Sequence, residues 1–273
     1  MYWTEFKKIA TLALTVFLLS SCAENAEKAE EQVKAEVKEE AKQETAITKE
    51  QQIARLVENE LNIPATEEYD IQILYKNIDA DTLEDALVLV NRKEAGFQNA
   101  KLNDREHFFA NTGYTGLFNY VFVWLGNSKS LLKTTPVGSN VNYALRAEFL
   151  ELTSKAHTDF YVEYRVKNSL YRNYYTVRGK EIFLTLSCPV FDEVGEPNPI
   201  VYDIQHRESS VRLSKDIALY RSQFLDYNPA EIEDVNAYEP KGIMSSDDLY
   251  VYFIFDDNKK KYVTPMVPTT TEE

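Results

Sequence analysis

Phe160-Tyr161-Val162-Glu163-Tyr164-Arg165-Val166-Lys167 alternates between an apolar set (Phe160, Val162, Tyr164, Val166) and a mostly charged one (Tyr161, Glu163, Arg165, Lys167). Successive strand side chains point to opposite faces, so this period of two predicts a half-buried strand with a solvated face. Its neighbours read the same way. Tyr174 to Val177, the turn Arg178-Gly179-Lys180 and Glu181 to Ser187 predict one hairpin. Leu249 to Phe255, a turn at Asp256-Asp257-Asn258 and a return through Tyr262-Val263 predict another. Further upstream, Ile71, Ile73 and Tyr75 alternate with Gln72 and Leu74. Ala86 to Val90 and Tyr120 to Leu125 are continuous apolar runs of strand length, the second ended by Gly126-Asn127. One helix precedes them. Thr48 stands as N-cap with Gln51 three residues on, Ile53, Leu56, Val57 and Leu61 share one face, and Pro64 stops it. The expectation is a mainly β fold: an antiparallel sandwich or meander with a short N-terminal amphipathic helix. No repeat at a period of about 20 to 50 residues is legible, which counts against a solenoid or a complete propeller.

The chain has 273 residues, 44% of them hydrophobic, enough to bury one sizeable core. A formal net charge of -14 gives it no general attraction for phosphate backbones, so no nucleic-acid partner is expected. Two Cys exclude a disulfide scaffold.

The N-terminus carries a sorting signal. Lys7 and Lys8 form a basic flank, and Ile9 to Leu19 is an uncharged apolar stretch. It is too short to span a hydrocarbon core, which needs about 20 residues. It ends in Leu19-Ser20-Ser21-Cys22, which resembles the bacterial lipobox, an aliphatic and two small residues before a Cys. In that family the Cys thiol takes a diacylglycerol, a peptidase cuts before it, and the Cys becomes the acylated N-terminus. The resemblance implies residues 1–21 as signal peptide, Cys22 as the lipidation site and the membrane as a partner. It places the protein in the bacterial cell envelope, anchored at the outer membrane, with the periplasmic and surface sides both open. An ordinary cleaved signal peptide and an uncleaved anchor are the alternatives. Residues 22–50 then read as an acidic Ala/Glu/Lys spacer, partly helical, in which Ala26, Ala29, Val33, Val37 and Ala41 make only a thin apolar stripe. Residues 51–273 form the β-rich globular domain.

One stretch has the spacing of a cation loop. In Asn77-Ile78-Asp79-Ala80-Asp81-Thr82-Leu83-Glu84-Asp85, side-chain oxygens fall at positions 1, 3, 5 and 9 and the Leu83 carbonyl at position 7. Alternate residues of a tight loop point inward, so Asn77, Asp79, Asp81, Leu83 and Asp85 can surround one hard cation such as Ca2+. Residues 71–91 resemble a single calcium loop of the FG-GAP and VCBS blades, D-x-[DN]-G-D-G-x-x-D. Asn77 replaces the first Asp, and Ala80 and Thr82 replace glycines that give that turn its left-handed angles. An acidic turn with solvated carboxylates is the other reading.

No nucleophile elbow, zinc-protease motif or phosphate loop occurs in the chain. His107, His157 and His206 lie far apart, and Cys188 sits in an apolar run as a small buried hydrophobe. Tyr171-Arg172-Asn173-Tyr174-Tyr175 is the densest aromatic and polar cluster. Tyr171, Arg172, Tyr174 and Tyr175 can stack on a sugar or bury on a partner, or they are a Tyr-rich strand shared between core and rim. The functional expectation is a non-enzymatic binding or accessory module for an envelope protein or glycan. The alternatives are a hydrolase acting on envelope polysaccharide or peptide and a structural subunit of an outer-membrane assembly. If Cys22 is acylated, Cys22→Ala leaves the protein soluble or unprocessed, and mass spectrometry of the native N-terminal peptide shows acyl mass. An unlipidated mature N-terminus elsewhere sinks the assignment.

Overall fold

The computed structural model describes residues 47–114 and 116–265. The signal peptide, Cys22 and the spacer through residue 46 lie outside the described residues. The first element is α1 (Lys49–Leu61), in which Ile53 and Val57 are wholly buried. It closes where the Ile63 N–H donates to the Glu58 carbonyl (2.9 Å) and Asn62 adopts a φ of 49°. That left-handed residue ends the helix two positions before Pro64.

The first sheet holds β1 (Asp70–Lys76), β2 (Asp85–Asn91), β3 (Asn119–Leu125) and β4 (Ser130–Leu131) in that order, with β5 (Thr135–Val137) also on β3. The second sheet runs β6 (Arg146–Leu150), β7 (Asp159–Val166), β8 (Ser169–Arg178), β9 (Glu181–Asp192), β10 (Ile200–Arg207), β11 (Asp216–Ser222), β12 (Leu249–Asp256) and β13 (Lys261–Val263). Each of these strands pairs antiparallel with its sequence neighbours, so the second sheet is an uninterrupted meander. The protein is mainly β with two antiparallel sheets.

The layers follow from the alternation of side chains. One face of the first sheet (Leu87, Leu89, Val121, Val123) packs on Phe160, Val162, Tyr175 and Val177 of the second. Its other face (Ala86, Val88, Val90, Phe122, Trp124) receives Ile53 and Val57 of α1. Buried on both faces, β2 therefore reads as a continuous apolar run. The second sheet coils until β13 comes back against β9. Tyr174, Cys188, Ile217, Leu219, Phe255 and Tyr262 share the cluster inside that curl.

Two features depart from the sequence reading. Helices α2 (Lys93–Leu102) and α3 (Glu106–Thr112) lie between β2 and β3. The charged face of β7 is not fully solvated either. Arg165 is buried because residues 223–248 fold over it, the Tyr238 carbonyl and the Glu239 carboxylate accepting from its Nη2.

A recurrence also emerges. The hairpins β1–β2, β6–β7 and β10–β11 have connections of equal length, residues 77–84, 151–158 and 208–215. Each returning strand opens on an Asp paired with the last residue of the outgoing strand: Lys76 with Asp85, Leu150 with Asp159, Arg207 with Asp216. These three Asp side chains are 0%, 1% and 2% exposed. In the first two hairpins the carboxylate reaches back across its own loop. Asp85 Oδ2 accepts from the N–H groups of Ile78 (2.9 Å) and Asp79 (3.1 Å), and Asp159 Oδ2 from those of Leu152 (2.9 Å) and Thr153 (2.6 Å). Ile78 and Leu152, the residues so held, are themselves buried.

Removing such an acceptor strands buried donors, at about 1–3 kcal/mol for each group. Asp159→Ala is expected to cost roughly 2–5 kcal/mol in urea denaturation, against about 0.5 kcal/mol or less for Lys155→Ala on the exposed part of the same loop. Equal effects from the two would contradict the role given to Asp159.

Candidate metal and binding surface

The three loops form one rim. The Thr158 N–H donates to the Ile78 carbonyl (3.1 Å), joining the second loop to the first, and the Lys215 N–H donates to the Leu152 carbonyl (2.7 Å), joining the third to the second. Loops carried on rigid sheets are where binding groups concentrate in β folds.

The first loop brings three of its predicted residues together. Single carboxylate oxygens of Asp79, Asp81 and Asp85 lie within 4.8 Å of one another, a group that can hold a metal ion. Backbone donors shape the cluster: the Asp81 N–H donates to Asp79 Oδ1 (2.8 Å) and the Leu83 N–H to Asp81 Oδ1 (2.7 Å). Asn77 turns its Nδ2 onto the Asp81 carbonyl (2.5 Å), and the Leu83 side chain is half exposed. Two contributors come from the β3–β4 turn. The Gly126 N–H donates to Asp85 Oδ1 (2.9 Å), and Asn127 Nδ2 donates to Asp81 Oδ2 (2.7 Å). Gly126 is required by proximity, since a Cβ there would stand 2.4 Å from the Glu84 carbonyl oxygen. In the sequence Gly126-Asn127 signals only the end of a strand. Nothing local ties it to the acidic loop.

The loops differ in how charge is balanced. Asp216 accepts two bonds from Arg212 Nη2 (3.0 and 3.2 Å) and one from the Tyr252 hydroxyl. At Asp159 the partner Thr153 receives the Arg178 guanidinium. At the position of Asp81 the second loop carries Lys155. The first loop has no such cation: among the described residues no salt bridge reaches Asp79, Asp81 or Asp85, and the nearby Lys49 pairs with Glu84 (3.0 Å). Burial, with the charges of Asp85 and Asp81 added, holds the Asp79 carboxyl above the ordinary carboxylate range.

No protein-family model, curated protein or solved structure matches the chain.

The aromatic cluster of β8 divides between the two faces of its sheet. Tyr175 is buried in the intersheet core, stacked on Phe160 at 5.3 Å, and Tyr171 stacks on Tyr164 at 5.8 Å. Arg172 and Tyr174 face the other way, so the four residues form no common surface. The Arg172 side belongs to a closed network. Its Nε and Nη2 donate to Glu163 (3.1 and 2.7 Å), its Nη1 donates to the Tyr174 hydroxyl (3.2 Å), and its guanidinium lies 4.0 Å from the Tyr161 ring centroid. The Tyr161 hydroxyl donates to Glu148, and the Tyr174 hydroxyl bonds His206 Nε2 (2.9 Å). These groups satisfy one another. Cys188 beneath them is 3% exposed, and burial pushes its thiol up to about 12, which suits packing and not nucleophilic attack. The histidines remain apart: His107 bonds Asn111 on α3, His157 lies in the second loop and His206 on β10.

His206 gives the network a pH signature. Burial first, then the charges of Arg172 and Lys215, lower its pKa from 6.5 to about 4. The folded state thus binds fewer protons there than the unfolded chain. Its contribution is complete above the unfolded value and is lost as pH falls from about 6.5 towards about 4, by at most about 1.4 kcal/mol per pH unit. Denaturation at the two ends of that window is expected to show a smaller acid loss in His206→Gln than in the parent protein. An unchanged loss would remove His206 from the account.

Proposed function

We propose that the chain is a lipid-anchored protein of the bacterial envelope whose β-body is a non-enzymatic binding module, with calcium held in its first rim loop. The anchor rests on the basic flank, apolar stretch and Leu19-Ser20-Ser21-Cys22. The observation that carries the metal reading is the uncompensated meeting of Asp79, Asp81 and Asp85. In the equivalent third loop an arginine neutralises the buried Asp, and in the first a divalent cation takes that part. An all-oxygen set of carboxylates on a turn suits calcium, which accepts six to eight oxygen ligands in flexible geometry. Asp79, Asp81 and Asp85 would hold the ion, with the Asn77 amide oxygen and the Leu83 carbonyl as the remaining ligands of the set. The ion would brace the first loop, which Ile78 joins to the second loop and Gly126 to the β3–β4 turn. A braced rim suits recognition of an envelope protein or glycan, and the dispersed histidines and the buried Cys188 thiol argue for binding over catalysis.

Millimolar calcium is expected to raise the melting temperature, by the equivalent of about 2.7 kcal/mol at a hundredfold excess over Kd, and Asp81→Ala is expected to abolish the rise. The pH dependence follows from Asp79. Its raised pKa means that, without metal, its favourable contribution is complete at low pH and lost as pH rises through the folded value. Calcium reverses the balance by stabilising the carboxylate, so the calcium-dependent gain grows from acid to neutral pH. A melting temperature indifferent to calcium at neutral pH would reduce the loop to an acidic turn.

A further inference from the structure

We infer that the first sheet carries a second binding site, at the end away from the acidic loop, and that this site takes a primary ammonium group on an aliphatic stem. The inference stands apart from the anchor and from the calcium reading. It starts from a break in side-chain chemistry. Leu87 and Leu89 of β2 face the second sheet, and Asn91 is the next residue on that same face. Asp70 of β1 pairs with Asn91, about 20 Å along the strand from Lys76 and the acidic loop. Asn91 is 7% exposed. Its Nδ2 donates to the Val141 carbonyl (2.8 Å), a group that can only accept, so the amide orientation is fixed and Oδ1 is the atom left over. That oxygen is buried and has no hydrogen-bond partner among the described residues. A buried acceptor without a donor costs free energy, which a ligand N–H reaching it recovers.

Asn91 lines a cleft of about 410 Å³, a size suited to a small ligand group. Charge at its walls is one-sided. Glu68 and Asp70 enter from the β1 side and Glu94 from the start of α2, against the ammonium of Lys93 alone. Among the described residues no salt bridge reaches any of these four. Arg92, next in the chain, does not offset them, because Glu67 accepts from its Nε and Nη2 (2.6 and 2.7 Å). Phe97 of α2 and Phe109 of α3 supply an aromatic wall, their ring centroids 5.9 Å apart and their planes inclined at 58°. Phe97 is 40% exposed, so its ring is open to contact.

Each feature narrows the ligand. The acidic lining selects a cation. The phenyl rings select an organic one, since they attract an ammonium through their faces and cover a hydrocarbon stem. The unpartnered amide oxygen selects a cation with an N–H to give. A primary ammonium has three such donors, enough to meet Asn91 Oδ1 and still reach a carboxylate at the cleft wall. The same aminoalkyl group occurs free in a diamine and at the end of a lysine side chain, and the two sources are separated by the choice of probe.

The test titrates the full chain with n-butylammonium by calorimetry, beside n-butyltrimethylammonium, which keeps the charge and has no N–H. The primary amine is expected to bind at least about tenfold more tightly, the difference a hydrogen bond to a charged donor makes. That preference is expected to fall in Asn91→Ala. Asp70→Asn, at an exposed position, is expected to weaken the primary amine roughly three- to fivefold, and Asp81→Ala in the acidic loop is expected to leave it unchanged. If Asn91→Ala does not fold, the ratio of the two amines in the parent and the Asp70→Asn variant still decide. Cadaverine and Nα-acetyl-lysine methylamide then name the source: tighter cadaverine supports a free diamine, and a tighter lysine derivative supports a peptide side chain. Equal affinity for primary and quaternary amine, indifference to Asp70→Asn, or no binding at millimolar concentration overturns the inference.

Discussion

Taking a carboxylate out of water costs several kcal/mol unless donors replace the lost solvent. Three hairpins of this protein are organised around that demand. Asp85, Asp159 and Asp216 each sit at the foot of a long connection, at the first position of the returning strand. The first two meet the demand with backbone N–H groups of their own loops, which fixes the loop path and buries Ile78 and Leu152. The third meets it with a guanidinium and a tyrosine hydroxyl. Because the loops then touch through Ile78 and Leu152, the three buried charges also set the rim that joins the two sheets at one end.

The same device explains why the acidic loop stands out. A hairpin needs only one buried Asp to fold, as loop 151–158 demonstrates with Thr153 and Lys155 where the first loop has Asp79 and Asp81. The two additional carboxylates therefore lie beyond what the hairpin architecture requires. They raise the repulsion around Asp85 in a loop whose three aspartates, among the described residues, take no salt bridge, a reason to look there for chemistry.

Strand positions were legible because burial on one face imposes a period of two, as in Phe160 to Lys167, and burial on both faces leaves an apolar run, as in Ala86 to Val90. The hairpin turning at Gly179-Lys180 was legible because its turn chemistry is local. Helix α2 was not, since only Gly96 and Ala100 of its residues are buried and two small side chains make no stripe. The recurrence of the hairpins was hidden because helices separate β2 from β3, a long segment separates β11 from β12, and the loops share little besides their closing Asp. In the candidate site, Asp79, Asp81 and Asp85 could be read from local spacing. Gly126 and Asn127 could not, since tertiary structure alone brings them to the loop. The aromatic run on β8 looked like one patch in sequence and is two, because adjacent strand residues face opposite ways.

The meander of the second sheet has a consequence for how the molecule acquires its shape. From β6 to β13 every strand finds its partner in the segment just before or just after it. Loop-closure entropy rises with the length of chain between contacting segments, and folding rates fall as contacts become more remote in sequence. Here most pairings close over a short turn, and only the 223–248 excursion between β11 and β12 imposes a long one. A chain delivered from its N-terminus can thus register each strand on the one before it, so that few unpaired edges wait at any moment for a distant partner. The remote step left over is the seating of the first sheet on β6 to β8, and Phe160 and Val162 are the side chains on which that slow docking would turn.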